Sequence, residues 1–224
     1  ASETRFKLDL HASAGREVLT EYLSGSLPLE AYPSAQLQTM VRGSLADLVI
    51  DSLVFNVEEA VTASLSGRIS HFLGKGTPPT GHLDIRELHL YEPAIRDYLS
   101  DSLWPENIQL PRTMDLNGKL TAGEDSLQSD LYLETAFGTV VALARMQRDT
   151  GNRRETYQAQ VFSEGFAMDS LLRKEDTLGN LAFTASMEGT TRDYKDPRFD
   201  FKLMLTEFQY LGYAYNDLQL SGFY

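Results

Sequence analysis

The 224-residue chain contains no cysteine, which excludes disulfide staples, thiolate metal sites and thiol nucleophiles and leaves the redox compartment open. It has no run of about 18 apolar residues, so no segment reads as a membrane-spanning helix. Basic side chains are in deficit, with 20 Lys and Arg against 32 Asp and Glu and a formal net charge of −12. A field of that sign repels phosphate backbones and anionic headgroups, so nucleic acid is not an expected partner. The four histidines, His11, His71, His82 and His89, stand apart. None is spaced i, i+4 from another, and an unbroken strand would put His82 and His89 on opposite faces, so no metal is expected. Gly74-Lys75-Gly76-Thr77 lacks the glycine that a phosphate-binding loop carries five residues earlier, where Ile69 stands, and reads as a turn. No nucleophile-elbow pattern occurs. Glu58-Glu59 and Glu175-Asp176 are adjacent carboxylates at loop-like positions and read as solvated. No catalysis and no cofactor are expected.

What the chain does have is alternation. In Leu181-Ala182-Phe183-Thr184-Ala185-Ser186-Met187-Glu188 the odd positions are apolar and the even ones largely polar, the period of a strand with one greasy and one wet face. The same pattern returns in 199–205 and 213–222, broken at glycine. Upstream, Val41-Arg42-Gly43-Ser44-Leu45, Leu65-Ser66-Gly67-Arg68-Ile69 and Leu116-Asn117-Gly118-Lys119-Leu120 repeat one punctuation, a glycine between residues of the same parity. Strands are expected at 6–10, 36–41, 45–50, 53–57, 61–69, 83–85 and 88–90, with a loop over 74–81. Short amphipathic helices are expected at 15–23 and 93–103, where apolar residues follow helical spacing, and a third helical patch at Met168-Asp169-Ser170-Leu171-Leu172. Strands at 140–146 and 156–162 flank Asp149-Thr150-Gly151-Asn152, the residues of a tight hairpin turn.

Tyr22-Leu23-Ser24 lines up with Tyr98-Leu99-Ser100, Tyr32-Pro33 with Leu110-Pro111, and Gly43-Ser44-Leu45 with Gly118-Lys119-Leu120, all in the same order. This is a degenerate internal repeat. It divides the chain into a first unit at 1–81 with a short helix, a second at 82–164 with a helix and the hairpin, and a third, truncated unit at 165–224. The fold class expected is mainly β, an elongated, curled antiparallel sheet of repeated strands with a few short helices; a β-sandwich is the alternative. The last residues, Ser221-Gly222-Phe223-Tyr224, follow directly on a strand pattern, as in a segment excised from a longer protein.

The stretch Gly165-Phe166-Ala167-Met168-Asp169-Ser170-Leu171-Leu172, then Leu178-Gly179-Asn180-Leu181-Ala182-Phe183, Glu188-Gly189, the alternating run at 199–205, and Gly212-Tyr213-Ala214-Tyr215-Asn216-Asp217-Leu218-Gln219-Leu220-Ser221-Gly222 resembles the repeat of TamB-type proteins of the AsmA-like superfamily, in the Bacteroidetes style. The likeness is best over 162–224. Upstream it is one of strand and glycine pattern. The resemblance implies a periplasmic location in a protein anchored in the inner membrane. It also implies a curled sheet with an apolar concave face, a β-taco, and a role in moving phospholipid between the inner and outer membranes or in supporting outer-membrane biogenesis. Phospholipid is the implied partner, and an outer-membrane assembly protein would bind through regions outside this segment.

Leu116, Leu120, Leu131, Leu133, Leu181, Phe183, Met187, Phe199, Phe201, Leu203 and Leu205 each hold the apolar parity of their strand and are the candidate lining of a lipid groove. Acyl chains on such a face gain roughly 0.8 kcal/mol per buried CH₂. An open apolar face of this kind also invites self-association. A closed sandwich core has the same alternation, and a structural or protein-binding β-repeat domain of the envelope without lipid cargo is the competing function. The 11 Tyr, 11 Phe and one Trp would serve a carbohydrate module if they lined one solvent-facing strip, and Trp104, beside Pro105, reads as a buried cap. Arg145, Arg148, Arg153 and Arg154 gather around the hairpin turn and are a candidate contact for a headgroup phosphate.

Overall fold

A computed structural model describes residues 5–17, 34–44, 46–71, 78–92, 108–173, 177–192 and 195–224. The expected helices at 15–23 and 93–103 lie for the most part outside the described residues, as do most of the 74–81 loop, Trp104 and Glu175-Asp176. The fold is mainly β. Twelve strands run as β1 (Phe6–Gly15), β2 (Ser34–Gly43), β3 (Asp47–Val57), β4 (Val61–Ser70), β5 (Thr80–Tyr91), β6 (Thr113–Ala122), β7 (Ser126–Thr135), β8 (Gly138–Asp149), β9 (Arg154–Ala167), β10 (Leu178–Arg192), β11 (Lys195–Tyr210) and β12 (Tyr213–Phe223). They belong to one sheet in strict sequence order, with β1 and β12 at the two ends of that order, in place of the paired sheets of a sandwich. Antiparallel pairing of sequence neighbours is what alternating strands joined by short turns produce.

The chain forms two compact units, one comprising Ala1–Pro105 with Arg112–Lys119 and the other Glu106–Pro111 with Leu120–Tyr224. In the first, β3 is a single strand where the sequence reads as two. Its register against β4 slips between Ile50 and Leu53, so Asp51-Ser52 form a bulge that keeps Ile50 and Leu53 on the same side. The expected strands at 83–85 and 88–90 are likewise one strand, β5, with a register shift against β4 between Leu65 and Ser64. That shift overturns the expected separation of two histidines. His82 lies opposite Arg68 and His89 opposite Thr62, which places both on the same face. Buried apolar residues of this unit gather at one end of the strands, where Ala35, Val57, Ala60 and Val61 pack with Ala14, Phe55, Leu88 and Leu90.

In the second unit the hairpin is where the sequence puts it. Asp149 accepts hydrogen bonds from the Asn152 backbone N–H at 3.1 Å and from its side-chain amide at 2.7 Å, closing the turn between β8 and β9. The Met168–Leu172 patch is helix α1, ended by Arg173 in the left-handed conformation at φ 52°. Its Leu171 carbonyl accepts from the Gln109 N–H at 2.7 Å. A bulge in β11 near Thr206 keeps Phe208 in phase with Leu181.

Candidate functional site

Residues directly opposite in register share a face, so the pairing of β7 to β12 fixes which side chains stand together. One row reads Leu131, Ala142, Val161, Ala185, Leu203, Leu220 across six strands. The next reads Ser129, Ala144, Ala159, Met187, Phe201, Gly222, and a third Leu127, Met146, Tyr157, Gly189, Phe199. Leu133 pairs with Val140, and Phe183 with Leu205, which in turn pairs with Leu218. Leu181, one bulge further along, stands opposite Phe208. Leu131, Leu133, Leu181, Phe183, Met187, Phe199, Phe201, Leu203 and Leu205 therefore occupy one continuous apolar face of the second unit.

This face is not sealed. Leu127 is 48% exposed, Phe201 48% and Leu220 57%, and most of the rest are half-buried. The opposite face is polar, with rows such as Gln128, Arg145, Gln158, Glu188, Asp200. One apolar row crosses it, Tyr132, Val141, Phe162 and Met204 with Thr184 between the last two, and Leu143 stands as a single apolar side chain beside that row.

Leu116 and Leu120 lie on β6 with the parity opposite to Asp115 and Lys119. Asp115 reaches His89 Nδ1 at 2.5 Å and Lys119 reaches Asp84 at 3.6 Å, both on the polar side of β5. The two leucines thus turn away from that side. Residues that sequence reasoning passed over form an equal apolar face in the first unit. Its rows include Leu10, Thr39, Leu53, Leu65, Ile85 and Ala12, Leu37, Phe55, Ala63, Leu88. Leu8 is 45% exposed and Leu10 39%. The signal for them was present as alternation, but the bulges in β3 and β5 reverse its phase midway.

Polar groups intrude on the second unit's apolar face chiefly at one end. Glu155 is only 3% exposed, accepts from Arg148 Nε at 2.8 Å, and also accepts the Tyr157 hydroxyl. Tyr157 lies against Phe199 with ring centroids 6.3 Å apart. Ser163 Oγ, opposite Phe183, is buried without a hydrogen-bond partner.

The four arginines of the hairpin do not form one cluster. Arg148 is drawn onto the apolar face by Glu155, Arg145 stands midway along β8 on the polar face, and Arg153 occupies the turn itself at φ 51°. Arg154 begins β9 opposite Asp149. No group of three or more His, Asp or Glu side chains able to hold a metal occurs among the described residues. Glu58 accepts from the Ser34 hydroxyl at 3.0 Å, and both it and Glu59 are exposed. No helix among the described residues is long and apolar enough to cross a membrane. No family model, curated protein or solved structure was found to match this chain.

Proposed function

We propose that the chain is a non-enzymatic segment of a periplasmic, TamB/AsmA-like envelope protein that holds phospholipid acyl chains against the apolar faces of its sheet during transport between inner and outer membrane. The observation that carries this reading is the row from Leu131 to Leu220, apolar across six strands yet left half-open to solvent. An ordinary core would bury such a face against a second layer. A monomer seldom leaves more than a few hundred Å² of contiguous apolar surface without an occupant. Acyl chains suit the face because it offers alkyl and phenyl groups with few hydrogen-bonding partners, so the ligand it favours is long, apolar and interchangeable. Convergent polar groups of the kind a reaction needs are missing from the apolar rows, and the buried Glu155 is engaged by Arg148 and Tyr157. The resemblance of 162–224 to TamB-type repeats supports the same reading and supplies its cellular setting.

The test is native mass spectrometry of the chain purified from a bacterial periplasm without detergent, with extraction and identification of whatever it retains. Phospholipid on the wild type, lost in Phe183→Asp, is the expected result. A lipid-free, folded wild type that also takes up no lipid when mixed with phospholipid micelles overturns the acyl-chain reading and favours a structural or protein-binding β-repeat domain of the envelope.

A further inference from the structure

At the turn end of β9, β10 and β11 the polar face carries a feature that its overall acidity does not predict. Arg154 on β9 lies directly opposite Arg192 on β10, and Arg198 on β11 is opposite Thr190, two residues along from Arg192. The three side chains border a concavity of about 570 Å³ whose remaining walls are Asn152, Thr190 and Thr191. All three arginines are exposed, and among the described residues Arg192 and Arg198 have no hydrogen bond or ion pair, while Arg154 interacts with the charge of Asp149. Asp149 faces Arg154 in register, but its two oxygens already accept from Asn152.

Like charges directly opposite in a sheet repel. Arg42 and Arg148, by contrast, are each matched with an acid, Asp51 at 2.9 Å and Glu155 at 2.8 Å. Three guanidiniums gathered around one concavity on a chain of net charge −12 are a local concentration of positive charge, offset in part by Asp149 at its rim. Guanidinium forks bind tetrahedral oxyanions through paired N–H···O contacts, and several forks around one concavity suit an anion with more than two acceptor oxygens better than a carboxylate.

We propose that Arg154, Arg192 and Arg198, with Thr190 as a hydroxyl donor, form a binding site for a phosphate group. The site stands on the face opposite the apolar rows and does not depend on the acyl-chain reading. A concavity of about 570 Å³ is larger than inorganic phosphate needs and leaves room for the organic group that carries it. That group is either the headgroup of a phospholipid in a membrane surface or a soluble phosphoester, and the shared chemistry is the phosphate.

Two arms separate the sources. Calorimetric titration of the chain with inorganic pyrophosphate at low salt tests the soluble one. Sedimentation with phosphatidylcholine vesicles, with and without phosphatidylglycerol, tests the membrane one. The variants are Arg192→Gln/Arg198→Gln and, as a control on the same face but outside the cluster, Arg145→Gln. These side chains are exposed, so unchanged thermal melts certify the fold. The expected result is binding in at least one arm, weakened by about tenfold or more in the double variant and unaltered in Arg145→Gln. Pyrophosphate binding assigns a soluble ligand, and binding only to vesicles containing phosphatidylglycerol assigns a headgroup. Absence of binding in both arms, or an equal loss in Arg145→Gln, overturns the site.

Discussion

At the scale of single residues, the charged groups of the second unit are governed by what faces them. Glu155 is buried among Tyr157, Arg148 and Thr191 on an otherwise apolar face, a position a carboxylate holds only while its partners satisfy it. Glu155→Gln should lower stability by about 2 kcal/mol in urea titration, since it takes the charged acceptor away from the Arg148 and Tyr157 hydrogen bonds. Ser163→Ala, by contrast, deletes a buried hydroxyl that has no partner, and should leave the urea midpoint unchanged or raise it. Asp149 titrates below the ordinary carboxylate value because the Asn152 side chain and backbone hydrogen-bond its ionised form, with Arg154 adding a favourable charge. A folded-state value below the unfolded one means that the turn's stabilisation is present at neutral pH and fades as pH falls through the folded value. Asn152→Ala should move the Asp149 titration, followed by carboxyl NMR, back toward the ordinary value. The Asp149-to-Asn152 turn was legible because its residues are neighbours in sequence. The grouping of Arg154 with Arg192 and Arg198 was not, since only strand register brings them together.

At the scale of the element, alternation made the strands legible and bulges hid their continuity. Asp51-Ser52 has the composition of a turn, yet it is a bulge with one extra residue within β3 that lets Leu48, Ile50, Leu53, Phe55 and Val57 hold one face. A period-two pattern that changes phase looks like two strands from sequence, because the residues that absorb the slip are polar on both sides of the break. The same reason hid the common face of His82 and His89. Gly81, the glycine that ends the expected 74–81 loop, has a physical cause of its own, since φ there is +149° and an added Cβ would strike the Arg68 carbonyl across the β4–β5 pair. No rotamer relieves a clash between Cβ and backbone, so the strands would have to part. Gly81→Ala should therefore cost about 1–3 kcal/mol in urea titration, in the range of backbone strain at a position only glycine tolerates. The helices expected from apolar spacing fared unequally for a simpler reason. Met168–Leu172 is a described helix, while those near 15–23 and 93–103 fall largely outside the described residues.

At the scale of the whole molecule, two opposing properties set its behaviour in solution. Each unit presents an apolar face with half-exposed leucines and phenylalanines, and the chain as a whole carries −12 at neutral pH. Apolar faces favour association, and like net charge opposes it over a distance set by the Debye length, about 10 Å at 0.1 M salt. The balance should tip as pH falls toward the isoelectric point of about 4.7, and also as salt rises at constant neutral pH, because both remove the repulsion without touching the apolar surface. Sedimentation velocity across those two series is expected to show reversible growth in mass in each. Phe201→Asp, which places a carboxylate in the row from Ser129 to Gly222, should suppress the growth with salt while leaving the melting temperature close to that of the wild type, since Phe201 is already 48% exposed. If association in that variant is undiminished, the contact runs through the unpaired edges of β1 or β12 instead, where free backbone groups can recruit another strand. Gln219→Lys, on the other face of β12, then becomes the decisive variant, because charge on an edge strand blocks pairing while the apolar rows stay intact.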